Sequence, residues 1–362
     1  MKNIYIHLFN ALKNKQPLAL ASIIEAKGST PQKPGASALF SPEGLLEGTL
    51  GGGLLEADAR KKAIQALKRS DSRLYKFCLN AETYSEEKPI CGGEVRIMID
   101  ASPEKHIDAF QSLSNSLGQR RFGLLATFIN RLIGEEVTIL RYWIEEKKDL
   151  AINLRKHFSC FREEINKALS EGSPRLVKVK DGILPAKAKE SFLFLEPVFP
   201  FPHLVIAGAG HIGQVVAHLG GLLNFEVTVI DDRPEFVNKK RFPDADHIIV
   251  KDFNNALRDF PISLDTYLVI ATREHRHDAT VLRQCINSEA AYIGMIGSTR
   301  KIELTQKKFL EEGWAAPEQF ERIYAPIGLA INSKTVEEIA ISIASQLVLV
   351  RSQIQDKIKD IR

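Results

Sequence analysis

The sequence predicts an α/β protein of two domains: a mixed α+β region over residues 1–200 and a doubly wound parallel sheet over 201–362. Three observations carry this. At 362 residues the chain exceeds what one ordinary core organises. Beyond His203 short apolar runs alternate with helical patterns, the mark of a parallel sheet wrapped by helices. Between the two stretches lies Pro197-Val-Phe-Pro-Phe-Pro202, a connector stiffened by proline.

In the first region, Ile4 to Lys13 reads as an amphipathic helix and Leu18 to Ile24 as a strand. A Gly/Pro-rich loop follows, GSTPQKPGA over Gly28 to Ala36. Ser37 to Phe40 is a short strand that turns at Pro42-Glu43-Gly44. The run Gly51-Gly52-Gly53 precedes a helix with a charged face, Leu54 to Lys68. Cys91-Gly92-Gly93 leads into the alternating strand Glu94 to Asp100. Phe122 to Ile129 and Glu136 to Trp143 form a strand pair, Leu154 to Leu169 a helix, and Ser191 to Glu196 a further strand.

In the second region, strands are expected at Leu204 to Ala207, Glu226 to Ile230, His247 to Val250, Tyr267 to Ala271 and Ala291 to Met295. Helices lie between them, among them Gln214 to Leu223 and Ala279 to Ile286. A long closing helix runs over Val336 to Arg351.

Composition narrows the partners. Lys plus Arg number 49 against 45 Asp plus Glu, a net of +4 that is small and dispersed, so nucleic acid is not expected as a partner. The N-terminus has no uninterrupted apolar core of signal-peptide length, and the other apolar runs are strand-sized. Cys78, Cys91, Cys160 and Cys285 lie far apart with no CxxC spacing, against a disulfide scaffold or structural zinc. The expectation is a cytoplasmic protein with reduced thiols and no membrane segment.

The most specific local motif is Gly208-Ala-Gly210-His211-Ile-Gly213, set between the strand HLVIA and a helix. In that context Gly208 makes the tight turn, Gly210 lets backbone approach a pyrophosphate, and Gly213 packs helix on strand. The helix start then offers unpaired N–H groups and a positive dipole end to phosphate. Asp231, 23 residues after Gly208, stands where a ribose-binding acid belongs, with Arg233 leaving NAD against NADP open. The competing reading is a tight turn with no ligand. The C-terminal domain is accordingly expected to be Rossmann-type.

Two further clusters fall at the same sheet edge. Thr272-Arg-Glu-His275-Arg-His277-Asp278 follows the fourth strand, and its HxH spacing would place both histidines on one side of an extended segment, facing an anion or a metal. Alternatively Asp278 only caps the next helix and the histidines are solvated. Gly297-Ser298, followed by Arg300 and Lys301, reads either as an anion site or as a turn with a helix N-cap.

In the first domain, Gly51, Gly52 and Gly53 ahead of Glu56 resemble an anion-binding nest, with Gly28, Ser29, Thr30 and Lys33 as further donors. Purely structural loops are the alternative. Cys91, backed by Gly92, is either an accessible thiolate able to meet molybdenum or carry sulfur, or a small apolar residue. The other thiols read as structural.

Taken in order, GSTPQKPGA, GTLGGGLLEADA, CGGEV, HLVIAGAGHIG, VTVIDDRPEF, ATREHRHD, YIGMIGSTRK and APIGLAIN resemble the XdhC/CoxI family over most of the chain. Ala330, Glu274 and Thr299 depart from residues common in that family, and residues 105–190 match weakly. The resemblance implies an accessory protein for a xanthine dehydrogenase-type molybdenum hydroxylase. Such a protein binds molybdenum cofactor (molybdopterin), supports its sulfuration by a cysteine desulfurase, and delivers it to the apo-hydroxylase, acting as a chaperone rather than a catalyst. It also implies that the glycine loops and Cys91 hold the cofactor, while the Rossmann loop holds phosphate or nucleotide.

The alternative is an NAD(P)-dependent oxidoreductase, although no Tyr-x-x-x-Lys pair follows a strand. Nucleotide transfer onto the pterin is a third reading. The catalytic chain of a hydroxylase is not expected, since this chain is too short and lacks iron–sulfur cysteine spacing. A homodimer is expected because most soluble assemblies are symmetric pairs.

Overall fold

A computed structural model of the chain describes residues 3–79, 93–132, 136–145, 159–179 and 189–361. The chain divides between Pro200 and Phe201 into two compact units.

The first unit is built on two antiparallel sheets. Strands β1 (Ala19–Lys27), β2 (Ser37–Ser41), β3 (Gly44–Gly48), β4 (Arg73–Cys78) and β5 (Glu94–Asp100) lie in the order β3-β2-β1-β5-β4. Helix α1 (Ile4–Lys13) starts where Asn3 accepts the Tyr5 amide at 3.0 Å, a side-chain cap. Helix α2 (Gly53–Arg69) presents Leu55, Ala59, Ala63 and Ala66 as a stripe against Ala19, Ala21, Ile23 and Phe40. Its small residues let the helix backbone lie close to the sheet.

The opposite face meets α1, helix α3 (Ile107–Gly118) and the second sheet. That sheet comprises β6 (Gly123–Arg131), β7 (Val137–Ile144), β8 (Arg175–Val179) and β9 (Glu190–Val198), in the order β7-β6-β9-β8. Ile24, Leu74 and Met98 of one sheet pack on Ile129, Phe192 and Phe194 of the other. Helix α4 (Arg162–Glu171) covers the outer face through Ile165 and Ala168.

Several expectations shift here. Of the predicted helix over 154–169, residues 154–158 lie outside the described residues, 159–161 form a 3-10 turn, and α4 runs on to Glu171. Pro197, expected in the connector, sits inside β9 opposite Leu124. Strand β8 reaches only as far as Leu195, so at Pro197 one edge of β9 is open and the missing N–H costs no ladder bond. Strands β3, β4 and β8 and helix α3 go beyond what periodicity predicts.

A line of polar side chains crosses this unit's interior. The Tyr5 hydroxyl donates to Glu196 at 2.6 Å, and the Arg141 guanidinium pairs with Asp100, both nearly inaccessible. Burial pushes the Glu196 carboxyl up to about 7, against the pull of the Tyr5 hydrogen bond and the Arg141 charge.

The second unit is a parallel sheet of β10 (His203–Ala207), β11 (Glu226–Asp231), β12 (His247–Val250), β13 (Thr266–Ile270), β14 (Tyr292–Met295) and β15 (Ile323–Tyr324). The strand order is β12-β11-β10-β13-β14-β15, with each pairing parallel. Counted from β10 this is the doubly wound order in which the chain reverses direction across the sheet between the first and fourth strands. Strand β15, only two residues long, escapes a periodicity reading. Helices α5 (His211–Leu222) and α9 (Val336–Ile361) cover one face, and α6 (His275–Cys285) and α7 (Thr299–Glu311) the other. A short α8 (Pro317–Glu321) precedes β15.

Candidate functional site

The strand order reverses between β10 and β13, the place where doubly wound sheets offer a crevice beyond the strands' carboxyl ends, and most of the candidate residues of this domain gather there. Gly208 holds φ +121°, and a Cβ on it would strike the Ala271 carbonyl. A Cβ on Gly213 would strike the Gly208 carbonyl, so both glycines are required by packing alone. Gly210 differs: φ is −72° and a Cβ would meet nothing within 4 Å. Among the described residues no packing requires a glycine here, and the space leaves room for a ligand to approach the backbone. Helix α5 begins after Gly210 with His211 exposed, and its first-turn amides have no i−4 carbonyl to bond.

Asp231 departs from its expected role. It is 0% exposed, and one carboxylate oxygen accepts the Ala209 amide at 2.8 Å. The other accepts the Arg233 amide at 3.0 Å and its Nε at 2.9 Å. The acid therefore ties the glycine loop to β11 rather than facing a ribose. Its neighbour Asp232 is forked by Arg273 across the crevice, which holds the Asp232 carboxyl below its ordinary range. Arg233 lies 3.9 Å over the Phe236 ring, with Arg241 on the same ring at 4.9 Å. Asp232, Phe236 and Arg241 were not among the sequence candidates; the signal that would find them is the run of arginines and acids just after the second strand.

The histidine cluster is also rearranged. Helix α6 begins at His275, earlier than expected, with Glu274 as N-cap. His275 and His277 are thus two residues apart on a helix, roughly 200° around its axis, and diverge. His275 Nε2 meets the Thr305 hydroxyl at 3.1 Å, while the His277 ring packs on Phe253 at 5.2 Å. The extended-segment pairing toward an anion or metal does not form, and the described residues contain no metal-binding group of three or more His, Cys, Asp or Glu. Asp278 instead sits in the first turn and accepts both the amide and the hydroxyl of Thr272, at 2.9 and 2.7 Å. Burial raises its carboxyl to about 6. A Cβ on Gly297 would meet Ile302 and Lys301 at ordinary contact distances, and Ser298 takes the N-cap position of α7 without a side-chain capping bond.

In the first unit the glycine-marked loops converge at one end of the sheet. A Cβ on Gly93 would press on Ser29, Lys27 and Thr30, and one on Gly51 would lie 2.5 Å from Pro31. Gly28 has φ +72°, Ser29 and Lys33 are exposed, and the Thr30 hydroxyl donates to the Gln32 carbonyl at 3.0 Å. Gly51, Gly52 and Gly53 all have positive φ, which explains three glycines in a row. The nest they make already holds an anion, however. One Glu56 oxygen accepts from the Thr49 hydroxyl at 2.7 Å, the Leu50 amide at 2.9 Å and the Gly52 amide at 3.3 Å. Partial burial raises the Glu56 carboxyl, but these three bonds outweigh it and the net shift is downward. This loop therefore does not offer those amides to an incoming phosphate. Cys91 and Gly92 lie outside the described residues.

The fold and the crevice define a class: a two-unit protein whose second half is a Rossmann-type domain. Residues 204–347 match the XdhC Rossmann domain, and residues 11–77 match the XdhC and CoxI family. The chain belongs to the XdhC/CoxI family. A Bacillus subtilis protein described as a probable xanthine dehydrogenase subunit is 25% identical over 356 residues, covering 98% of this chain and 99% of its own. Escherichia coli YqeB is 22% identical over 351 residues, 97% of this chain; the chain spans 46% of that relative's length. A crystal structure from Bacillus halodurans described as a xanthine dehydrogenase superposes with a TM-score of 0.72 at 24% identity, over 96% of each chain, a likeness of fold. Among the described residues no helix is long and apolar enough to cross a membrane.

Proposed function

We propose that this XdhC-type protein is an accessory factor of a xanthine dehydrogenase-type molybdenum hydroxylase. It binds molybdenum cofactor as cargo, holds it while a cysteine desulfurase supplies sulfur, and passes it to the apo-hydroxylase. It works in the cytoplasm as a homodimer.

The observation that carries the reading is Gly210. Its open space and the unpaired first-turn amides of α5 suit close approach of a phosphate, the one charged group common to a pterin cofactor and a nucleotide. The glycine nest of the first unit suits a phosphate less well, because Glu56 already fills it. Its role in this reading is to shape the loop beside Ser29, Thr30 and Gly93, with Cys91 as a candidate molybdenum or sulfur contact.

The test is anaerobic incubation of the purified protein with molybdopterin, followed by gel filtration and pterin fluorescence, then transfer to apo-hydroxylase. Co-elution and restored hydroxylase activity are expected. Protein that elutes without pterin overturns the proposal.

A further inference from the structure

We propose that the ribose end of the Rossmann-type crevice is built for a phosphomonoester and not for a ribose diol, so that a 2′-phosphorylated nucleotide binds in preference to one with free hydroxyls. This rests on the reading that the crevice holds a phosphorylated ligand.

Reading a diol takes a carboxylate with free acceptor sites at the end of the second strand. Asp231 stands at that place and has none to spare. One oxygen accepts the Ala209 amide at 2.8 Å and an Arg233 Nη at 3.1 Å; the other accepts the Arg233 amide at 3.0 Å and Nε at 2.9 Å. Two donors on each oxygen fill a carboxylate. Asp232, the next acid, is held by both terminal nitrogens of Arg273. Each of its oxygens keeps one lone pair, and the guanidinium beside it offsets its charge, so a diol there would share the carboxylate with Arg273.

The groups that remain are Arg233, Arg241 and Arg273, with Glu274 3.8 Å from the Arg273 Nε and itself paired by Arg276 at 2.6 Å. Arg233 is fixed between Asp231 and the Phe236 ring. Arg241 lies 4.9 Å from the same ring, donates to Gln214 at 3.2 Å, and keeps a buried Nε with no partner among the described residues. Each guanidinium has five N–H groups and a fork to one carboxylate uses two, so Arg233 and Arg273 can bind phosphate without releasing their acids. A phosphomonoester dianion gains charge-assisted bonds from these forks, whereas a neutral hydroxyl pair gains little.

The test is calorimetric titration of the full chain with AMP, 2′,5′-ADP, NAD⁺, NADP⁺ and inorganic pyrophosphate. The 2′-phosphorylated members are expected to bind about tenfold tighter than their partners, the value of one charge-assisted contact. Arg273→Ala should remove about that factor for 2′,5′-ADP while leaving AMP within about twofold. Arg273 is an exposed ion-pair residue, so this variant is expected to fold, and circular dichroism checks that it does. Equal binding of NAD⁺ and NADP⁺, or a loss of NAD⁺ binding in Asp232→Ala, overturns the proposal by making Asp232 the diol reader. Pyrophosphate binding without any nucleotide binding overturns it too, but leaves the phosphate crevice standing. Failure of every probe removes both.

Discussion

Ala209 donates its amide to the buried carboxylate of Asp231 at 2.8 Å, fastening the glycine loop to the end of the neighbouring strand. Asp231→Ala would strand that amide and leave Arg233 without its buried counter-charge. Stranding a buried amide and unpairing a partly exposed guanidinium costs about 2–3 kcal/mol. Urea denaturation should show a loss of that size, and a loss below about 1 kcal/mol would mean the carboxylate is not structural.

Gly208 and Gly210 separate packing from binding. A Cβ at Gly208 meets the Ala271 carbonyl at positive φ, so Gly208→Ala should destabilise the fold by about 3 kcal/mol. Gly210→Ala meets nothing and should melt close to wild type. It should nevertheless weaken pyrophosphate binding by about tenfold, because the added methyl stands where the ligand approaches. Unchanged pyrophosphate affinity in this variant would remove the steric case for a ligand there.

Glu56 acts on α2 as an internal anion. Glu56→Ala should lower stability by about 1 kcal/mol through the loss of the cap on Leu50 and Gly52, while Glu56→Gln keeps part of it. The second readout is phosphate affinity of the first-unit nest, measured by ³¹P line broadening. An increase in Glu56→Ala with none in wild type is expected; equal broadening in both would show that Glu56 does not compete.

Glu196 makes stability fall as pH rises. Its folded value of about 7 lies above the ordinary 4.5 because burial disfavours the charge, so the unfolded chain loses this proton first. The contribution is complete below pH 4.5 and is lost as pH climbs through about 7, in total on the order of 3 kcal/mol. Asp278, raised by burial to about 6, adds in the same direction. Melting curves from about pH 5 to about pH 8 should decline more steeply for wild type than for Glu196→Gln. Parallel curves would show that Glu196 does not titrate there.

Much of the architecture was legible. The β10-loop-α5 unit is local chemistry: a run of β-branched residues, three glycines at fixed spacing and an apolar helix stripe specify it within about 20 residues. The same holds for α1 and for the alternating strand β5. Strands β4 and β15 were not, because they are short and pair with residues 16 or more positions along the chain. Strand β3 was not, because its five residues, bounded by glycines and mostly exposed, show no alternation although its hairpin partner β2 is adjacent. The histidine pair differs from the sequence expectation because of a boundary. A helix start one turn earlier turned an extended HxH into two divergent side chains, and no residue in ATREHRHD marks that boundary by itself.

By itself the sequence determined the doubly wound domain, its glycine loop and the family, since each depends on spacing between near neighbours. Only the tertiary structure decided what the acids do. Glu56 and Asp231 looked like a partner and a reader of phosphate ligands, and both prove to be bonded to the chain's own donors. A carboxylate accepts whichever N–H groups the fold brings within about 3 Å. For Asp231 that includes Ala209, 22 residues away on the neighbouring strand's loop. For Glu56 the donors Thr49, Leu50 and Gly52 are near in sequence but are aimed at it only by the positive-φ path of the glycines.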